Sequence, residues 1–101
     1  MTRAFDAVAE PARRAILDLL LEGPRPVGDL VRETGLSQPN TSRHLRILRE
    51  AGVVTARRDG QRRLYELRPE GLAELELWLT PYRELWRGSL DLLERRLDRK
   101  E

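Results

Sequence analysis

The chain has 101 residues, 40% hydrophobic and 36% charged, with a formal net charge of +2, which fits one globular domain and excludes a disordered tail. With no cysteine and one histidine, disulfides, thiolate metal sites, thiol redox sensing and a multi-histidine metal site within one chain are excluded. No apolar run approaches the roughly 20 residues of a membrane span and no signal peptide is read at the start, so a cytoplasmic protein without membrane contact is expected.

Ala4 to Val8 reads as a short first helix, with Phe5 and Val8 three apart on one face. Glu10-Pro11 opens a second, because proline suits the first helical position. Ala12, Ala15, Ile16, Leu19 and Leu20 give that helix an apolar stripe, and Gly23-Pro24 stops it. Val27, Leu30 and Val31 form a shorter stripe ending at Thr34-Gly35. Gly35 can take the left-handed conformation that closes a helix, and Ser37 is a natural N-cap for the next, with Pro39 tolerated in its first turn. Helix, glycine turn and capped helix together are the grammar of a helix-turn-helix, with turn and second helix over residues 35–51.

In that second helix Thr41, Leu45 and Leu48 share a narrow sector and should anchor it to the core. At about 100° per residue, Pro39, Arg43, Arg46 and Glu50 point the opposite way. Gln38 and Ser42 lie on one flank, and Asn40, His44 and Ile47 on the other. Arginine can bond guanine, and Gln or Asn adenine, through paired hydrogen bonds in the major groove. Gln38, Ser42 and Arg43 are therefore the leading base-contact residues, followed by Asn40 and Arg46. Ser37 is read as a cap, a phosphate contact, or both. His44 borders the apolar sector, where packing or a bond to a backbone carbonyl outweighs direct DNA contact.

Val53 to Arg58 and Gln61 to Leu67 alternate as two strands, with Asp59-Gly60 as the hairpin turn of a wing over residues 53–67. Pairing across it places Val54, Ala56, Tyr65 and Leu67 on a core-facing side, and Arg57 and Arg62 on the other side near the tip. From Arg43 to Arg68 there are eight Arg against Glu50, Asp59 and Glu66, whereas from Pro69 onward six basic residues face eight acidic ones. The positive charge thus falls on one segment, as in a nucleic-acid footprint. Repulsion among Arg57, Arg58, Arg62 and Arg63 at a hairpin tip does not favour folding, and phosphate oxygens or a narrow minor groove would offset it. Arg57 and Arg62 rank first as contacts, with Arg58 and Arg63 also able to reach the backbone. Charged protection of a strand edge is the plainer reading.

Pro69 opens a long terminal helix, 69–99, which Pro81 is expected to kink or interrupt. Leu72, Leu75, Leu79, Tyr82, Trp86, Leu90, Leu93 and Leu97 step by three or four, beside a second stripe of Trp78, Leu85 and Leu92. That surface is wider than one small core covers, so a second copy is expected against Leu79, Tyr82, Trp86, Leu90, Leu93 and Leu97, joined by Phe5 and Val8. The fold expected is mostly α with a small β-hairpin: a dimeric winged helix-turn-helix of about five helices plus a two-stranded wing.

The order of Ala7-Val-Ala-Glu-Pro-Ala-Arg-Arg-Ala-Ile-Leu17, Val27-Gly-Asp-Leu30, Gly35-Leu-Ser-Gln-Pro39, Ser42-Arg-His-Leu45, Leu48-Arg-Glu-Ala-Gly-Val-Val54 and Arg58-Asp-Gly-Gln-Arg-Arg-Leu-Tyr65 resembles the ArsR/SmtB family of bacterial winged-helix repressors. The resemblance implies a homodimer built on the first and last helices, binding an inverted-repeat operator in double-stranded DNA and repressing transcription. Metal-sensing members often carry cysteines where this chain has Val27-Gly28-Asp29-Leu30, or histidines on the last helix, where this chain has none. The terminal segment Trp78-Leu-Thr-Pro-Tyr-Arg-Glu-Leu-Trp86 looks more like the family's metal-independent branch, a resemblance that implies no cofactor. Enzymatic activity is not expected. The competing reading is a protein-interaction module that keeps the winged-helix fold without reading DNA.

Overall fold

The computed structural model describes residues 2–99. Of the single domain expected over 1–101, Met1, Lys100 and Glu101 lie outside the described residues. Helices α1 (Thr2–Ala9) and α2 (Pro11–Leu20) lead to a two-residue strand β1 (Arg25–Pro26) and helix α3 (Val27–Thr34). Then come α4 (Gln38–Glu50), strands β2 (Val54–Asp59) and β3 (Arg62–Leu67), a 3-10 turn at Pro69–Leu72, and α5 (Ala73–Arg99). The core gathers Ala4 and Ala7 of α1, Ile16 and Leu20 of α2, Leu30 of α3, Leu45 and Leu48 of α4, and Val53-Val54 where the wing begins. Fully burying each large aliphatic side chain contributes about 1.5–3 kcal/mol.

The termini around α4 are built as the sequence predicts. Gly35 closes α3 at φ 75°, its N–H bonding Val31 O, the left-handed cap that glycine adopts without strain. Ser37 Oγ accepts from Asn40 N at 3.2 Å, and Thr41, Leu45 and Leu48 are buried. At the far end Gly52 N bonds Arg49 O and Val53 N bonds Leu48 O, with Gly52 at φ 79°. These paired bonds are a Schellman motif, and buried Val53 and Leu48 supply its usual apolar contact.

The wing departs from expectation in three respects. The two-stranded hairpin is extended by a short third strand into a sheet of order β1-β3-β2, with Arg25 opposite Tyr65 and Pro26 opposite Leu64. A two-residue strand carries no periodicity to read, and proline is accepted on a sheet edge because its missing donor is not needed there. Asp59 pairs with Arg62, so the two-residue loop is Gly60-Gln61 rather than Asp59-Gly60. A positive φ at Gly60 but not at Gln61 fits a type II′ turn, which needs glycine only at its first loop position. Val54, Ala56, Tyr65 and Leu67 do share the core side, but Leu64 on the opposite side is also buried, flanked in the sheet by Arg57 and Pro26.

The terminal segment starts with the 3-10 turn, not directly with α5. That tight turn presses Gly71 onto the start of the wing, where an added Cβ would stand 1.9 Å from Gly52 O and 2.9 Å from Val53 Cα. Because the obstruction is backbone, Gly71→Ala should destabilise the fold by about 3 kcal/mol or more. Thermal or urea unfolding measures this, and an unchanged midpoint would contradict the packing.

Beyond it, α5 runs unbroken through Pro81, so the expected interruption does not occur. Proline deprives only one carbonyl, that of Leu77, of its helical donor, and this turn lies in an exposed stretch open to water. One residue before the proline, Thr80 Oγ1 donates to Glu76 O at 2.7 Å. Only the 3-10 turn and the first turns of α5 pack on the domain, through Leu72, Leu75 and Trp78. The rest projects outward, giving extents of 62 × 29 × 23 Å and a radius of gyration of 18.1 Å, against about 13 Å for a compact chain of this length.

Candidate nucleic-acid interface

The N-cap Ser37 and, in α4, Gln38, Asn40, Ser42, Arg43 and Arg46 are all exposed. Arg43 Nη2 donates to Asn40 Oδ1 at 3.3 Å, and Arg46 Nε stands 4.0 Å from Glu50 Oε1. Both links are at the solvent surface, where such pairs are weak and yield to a better partner. Ser37 Oγ accepts from Asn40 N, leaving the hydroxyl proton free to donate elsewhere.

The wing's four arginines divide by sheet face. Arg57 Nε donates to Glu66 Oε1 at 3.2 Å, and Arg62 Nη2 donates to Asp59 Oδ2 at 3.3 Å. Half of the expected repulsion is thus relieved within the wing. Arg58 and Arg63 are direct cross-strand partners on the Tyr65 side, and among the described residues neither has a carboxylate partner. Arg63 Cζ lies 5.8 Å from the centre of the Tyr65 ring, within cation–π range. Like charges directly opposed in a sheet are unfavourable, so this pair carries the unmet demand for an anion.

Arg63 and Tyr65 also close one wall of a groove whose other wall is α4, through Pro39, Ser42, Arg43, Arg46 and Arg49. The structure therefore brings Ser42, Arg43, Arg46 and Arg63 together, and places Arg57 and Arg62 on the other face of the sheet. Arg49 and Tyr65 were not singled out from sequence as part of this surface. Arg49 stands seven residues after Ser42, two helical turns along the same flank, and that spacing was the available signal.

His44 points the other way, toward α2. Its Nδ1 lies 3.4 Å from Arg13 Nη1, a side-chain partner rather than the expected carbonyl. Burial, then the charges of Arg13 and Arg43, hold its pKa below the ordinary histidine value, against a smaller opposing pull from Glu10. The unfolded chain therefore binds this proton first as pH falls, so His44 removes stability below pH about 6.5 and has no such effect above it. His44→Gln should lessen the fall in melting temperature between about pH 7 and pH 5.5; an identical fall would show that His44 is not its source.

The dimer residues expected from sequence lie on the projecting helix. Leu79, Tyr82, Trp86, Leu90, Leu93 and Leu97 are all exposed, as are Trp78, Leu85 and Leu92. Phe5 and Val8 are half-buried, and Phe5 meets Trp78 edge-on with ring centres 5.5 Å apart. Among the described residues no group of three or more His, Cys, Asp or Glu is arranged to hold a metal ion, and no helix is long and apolar enough to cross a membrane.

The family model for bacterial regulatory proteins of the arsR family matches residues 10–56. The HTH-type transcriptional regulator Rv2034 of Mycobacterium tuberculosis is 47% identical over 88 residues, covering 87% of this chain and 79% of that protein. The transcriptional repressor SdpR of Bacillus subtilis is 38% identical over 92 residues, covering 91% of this chain and 100% of the repressor. A homodimeric winged helix-turn-helix DNA-binding domain from Mycobacterium bovis, solved in solution, superposes with a TM-score of 0.66 at 34% identity, covering 81% of this chain and 76% of that one.

Proposed function

The chain belongs to the arsR family of bacterial transcriptional regulators, not enzymes, and from that premise we propose that it is a homodimeric, sequence-specific DNA-binding repressor. The observation that carries this reading is the groove between α4 and the wing, lined by Arg43, Arg46, Arg49 and Arg63. In this reading α4 enters the major groove, with Gln38, Ser42 and Arg43 on base edges and Asn40 and Arg46 beside them. Arg58 and Arg63 take phosphates next to it. Arg57 and Arg62, already paired with carboxylates, contribute less, and Ser37 adds its hydroxyl proton to a phosphate. Two copies joined through α5, with Phe5 and Val8 of α1, present two reading helices to successive major grooves, which calls for an inverted-repeat operator. The absence of cysteine and the single histidine favour repression without thiolate or histidine metal sensing and without a cofactor. The protein then works in the cytoplasm with its DNA, its own promoter being the first operator to test.

A gel-shift titration of the gene's upstream DNA against unrelated DNA tests this. Salt-sensitive preference for the upstream fragment is expected, and equal weak binding to both would favour the protein-interaction reading. Arg58→Ala or Arg63→Ala should weaken binding to all sequences and flatten the salt slope by about 2, one contact per protomer. Arg57→Ala should flatten it less, and the reverse order would place the other face of the sheet on the DNA.

A further inference from the structure

A helix leaves its last four carbonyls without internal partners. In α1 these belong to Asp6, Ala7, Val8 and Ala9, and two successive arginines of α2 take all four. Arg13 donates from Nε to Ala7 O at 2.7 Å and from Nη2 to Asp6 O at 3.0 Å. Arg14 donates from Nη1 to Val8 O at 2.8 Å and Ala9 O at 2.9 Å. Positive charge at a helix C-terminus is favourable, and that accounts for Arg14 completely. Arg13 reaches further: its remaining nitrogen, Nη1, meets His44 Nδ1 on α4.

At its other side α1 leans on α5, through Phe5 against Trp78, which in turn packs against Tyr82 at 4.8 Å. A contact path thus runs from the projecting helix, through α1 and one guanidinium, to the flank of the reading helix. The planar guanidinium can serve three acceptors in three fixed directions, which a lysine ammonium cannot reproduce. The acceptor must be a neutral imidazole. Burial first, then the facing charges of Arg13 from α2 and Arg43 from α4, against a smaller pull from Glu10 at the α2 N-cap, favour that neutral form.

We propose that Arg13 is a positioning residue: it fixes the reading helix relative to the α1–α5 dimer face and so sets the spacing at which the dimer reads two half-sites. The inference rests on the dimeric DNA-reading function above. Buried Thr41, Leu45 and Leu48 hold one side of α4, and Arg13 holds the neighbouring flank against rotation. One base pair is about 3.4 Å along the duplex, so a small swing of α4 in each protomer changes the preferred separation.

The test uses a palindromic duplex selected from a random library by the wild-type protein, remade with one base pair removed, or one or two added, between its halves. Relative affinity across these spacings should fall about tenfold per base pair for wild type. For Arg13→Met and Arg13→Lys it should fall threefold or less, with the dimer intact by light scattering. His44→Ala keeps the cap on α1 and should flatten the profile equally, even if Arg13→Met fails to fold; the double variant should be no flatter. Because ratios between spacings are compared, any direct DNA contact by His44 drops out. An Arg13 variant with the wild-type profile would overturn the proposal, as would flattening not shared by His44→Ala, which would confine Arg13 to capping α1. Failure of the wild type to select any duplex is a separate result: it overturns the DNA-reading function and this inference with it.

Discussion

Trp86→Glu should leave a folded monomer that no longer holds its operator. Trp86 is 62% exposed on a helix that extends past its own domain, so the substitution removes nothing from the core and the protomer's melting should hardly move. In the proposed dimer a second copy would bury that side chain, and losing a buried tryptophan costs about 3–5 kcal/mol. Two-fold symmetry counts that loss twice. A micromolar dimer is held by only about 8 kcal/mol, so the doubled loss of about 6–10 kcal/mol is comparable to the whole association energy, before the cost of desolvating two carboxylates. Light scattering should report one chain, and the gel shift should retain only weak, unspecific binding. Leu93→Glu, two turns along the same face, should act alike. A persistent dimer in both variants would place the interface elsewhere.

Arg43→Ala should reduce specific affinity by about 2–6 kcal/mol, because each of two half-sites loses one bidentate contact worth about 1–3 kcal/mol. Arg43 is held only by Asn40, at 3.3 Å on the surface, so little is lost before it turns to a base. The change should be position-specific: preference at one operator position per half-site relaxes, while unspecific binding falls by no more than one phosphate contact's share. Selection from a randomised operator resolves the two effects. Intact preference at every position would remove Arg43 from the base edges.

How much was legible follows from what kind of interaction sets each feature. The end of α3 and the start of α4 were readable at Gly35 and Ser37 because local backbone geometry dictates them. The buried edge of α4 was readable from its period. Strand β1 was not, because two residues, one of them proline, acquire strand character only through β3. The 3-10 turn at Pro69 was not, because it is set by the approach of Gly71 to Gly52 and Val53, distant in the chain. The same division runs through the interface. That the wing is basic is a matter of composition, but which arginines are already paired depends on Glu66 and Asp59 lying across the sheet or turn. His44 borders the apolar sector by its spacing, yet its partner, Arg13, belongs to another helix thirty-one residues away and no pattern announces it.

In the proposed complex two copies, joined by α5, each place α4 in a major groove. Hydroxyl-radical footprinting of the wild-type protein on its selected or upstream DNA, with the chain-to-duplex ratio measured on the same complex, tests it most directly. Two protected patches related by two-fold symmetry, about 34 Å apart, at two chains per duplex are predicted. A single patch, a one-to-one complex, or uniform protection without sequence preference would contradict it.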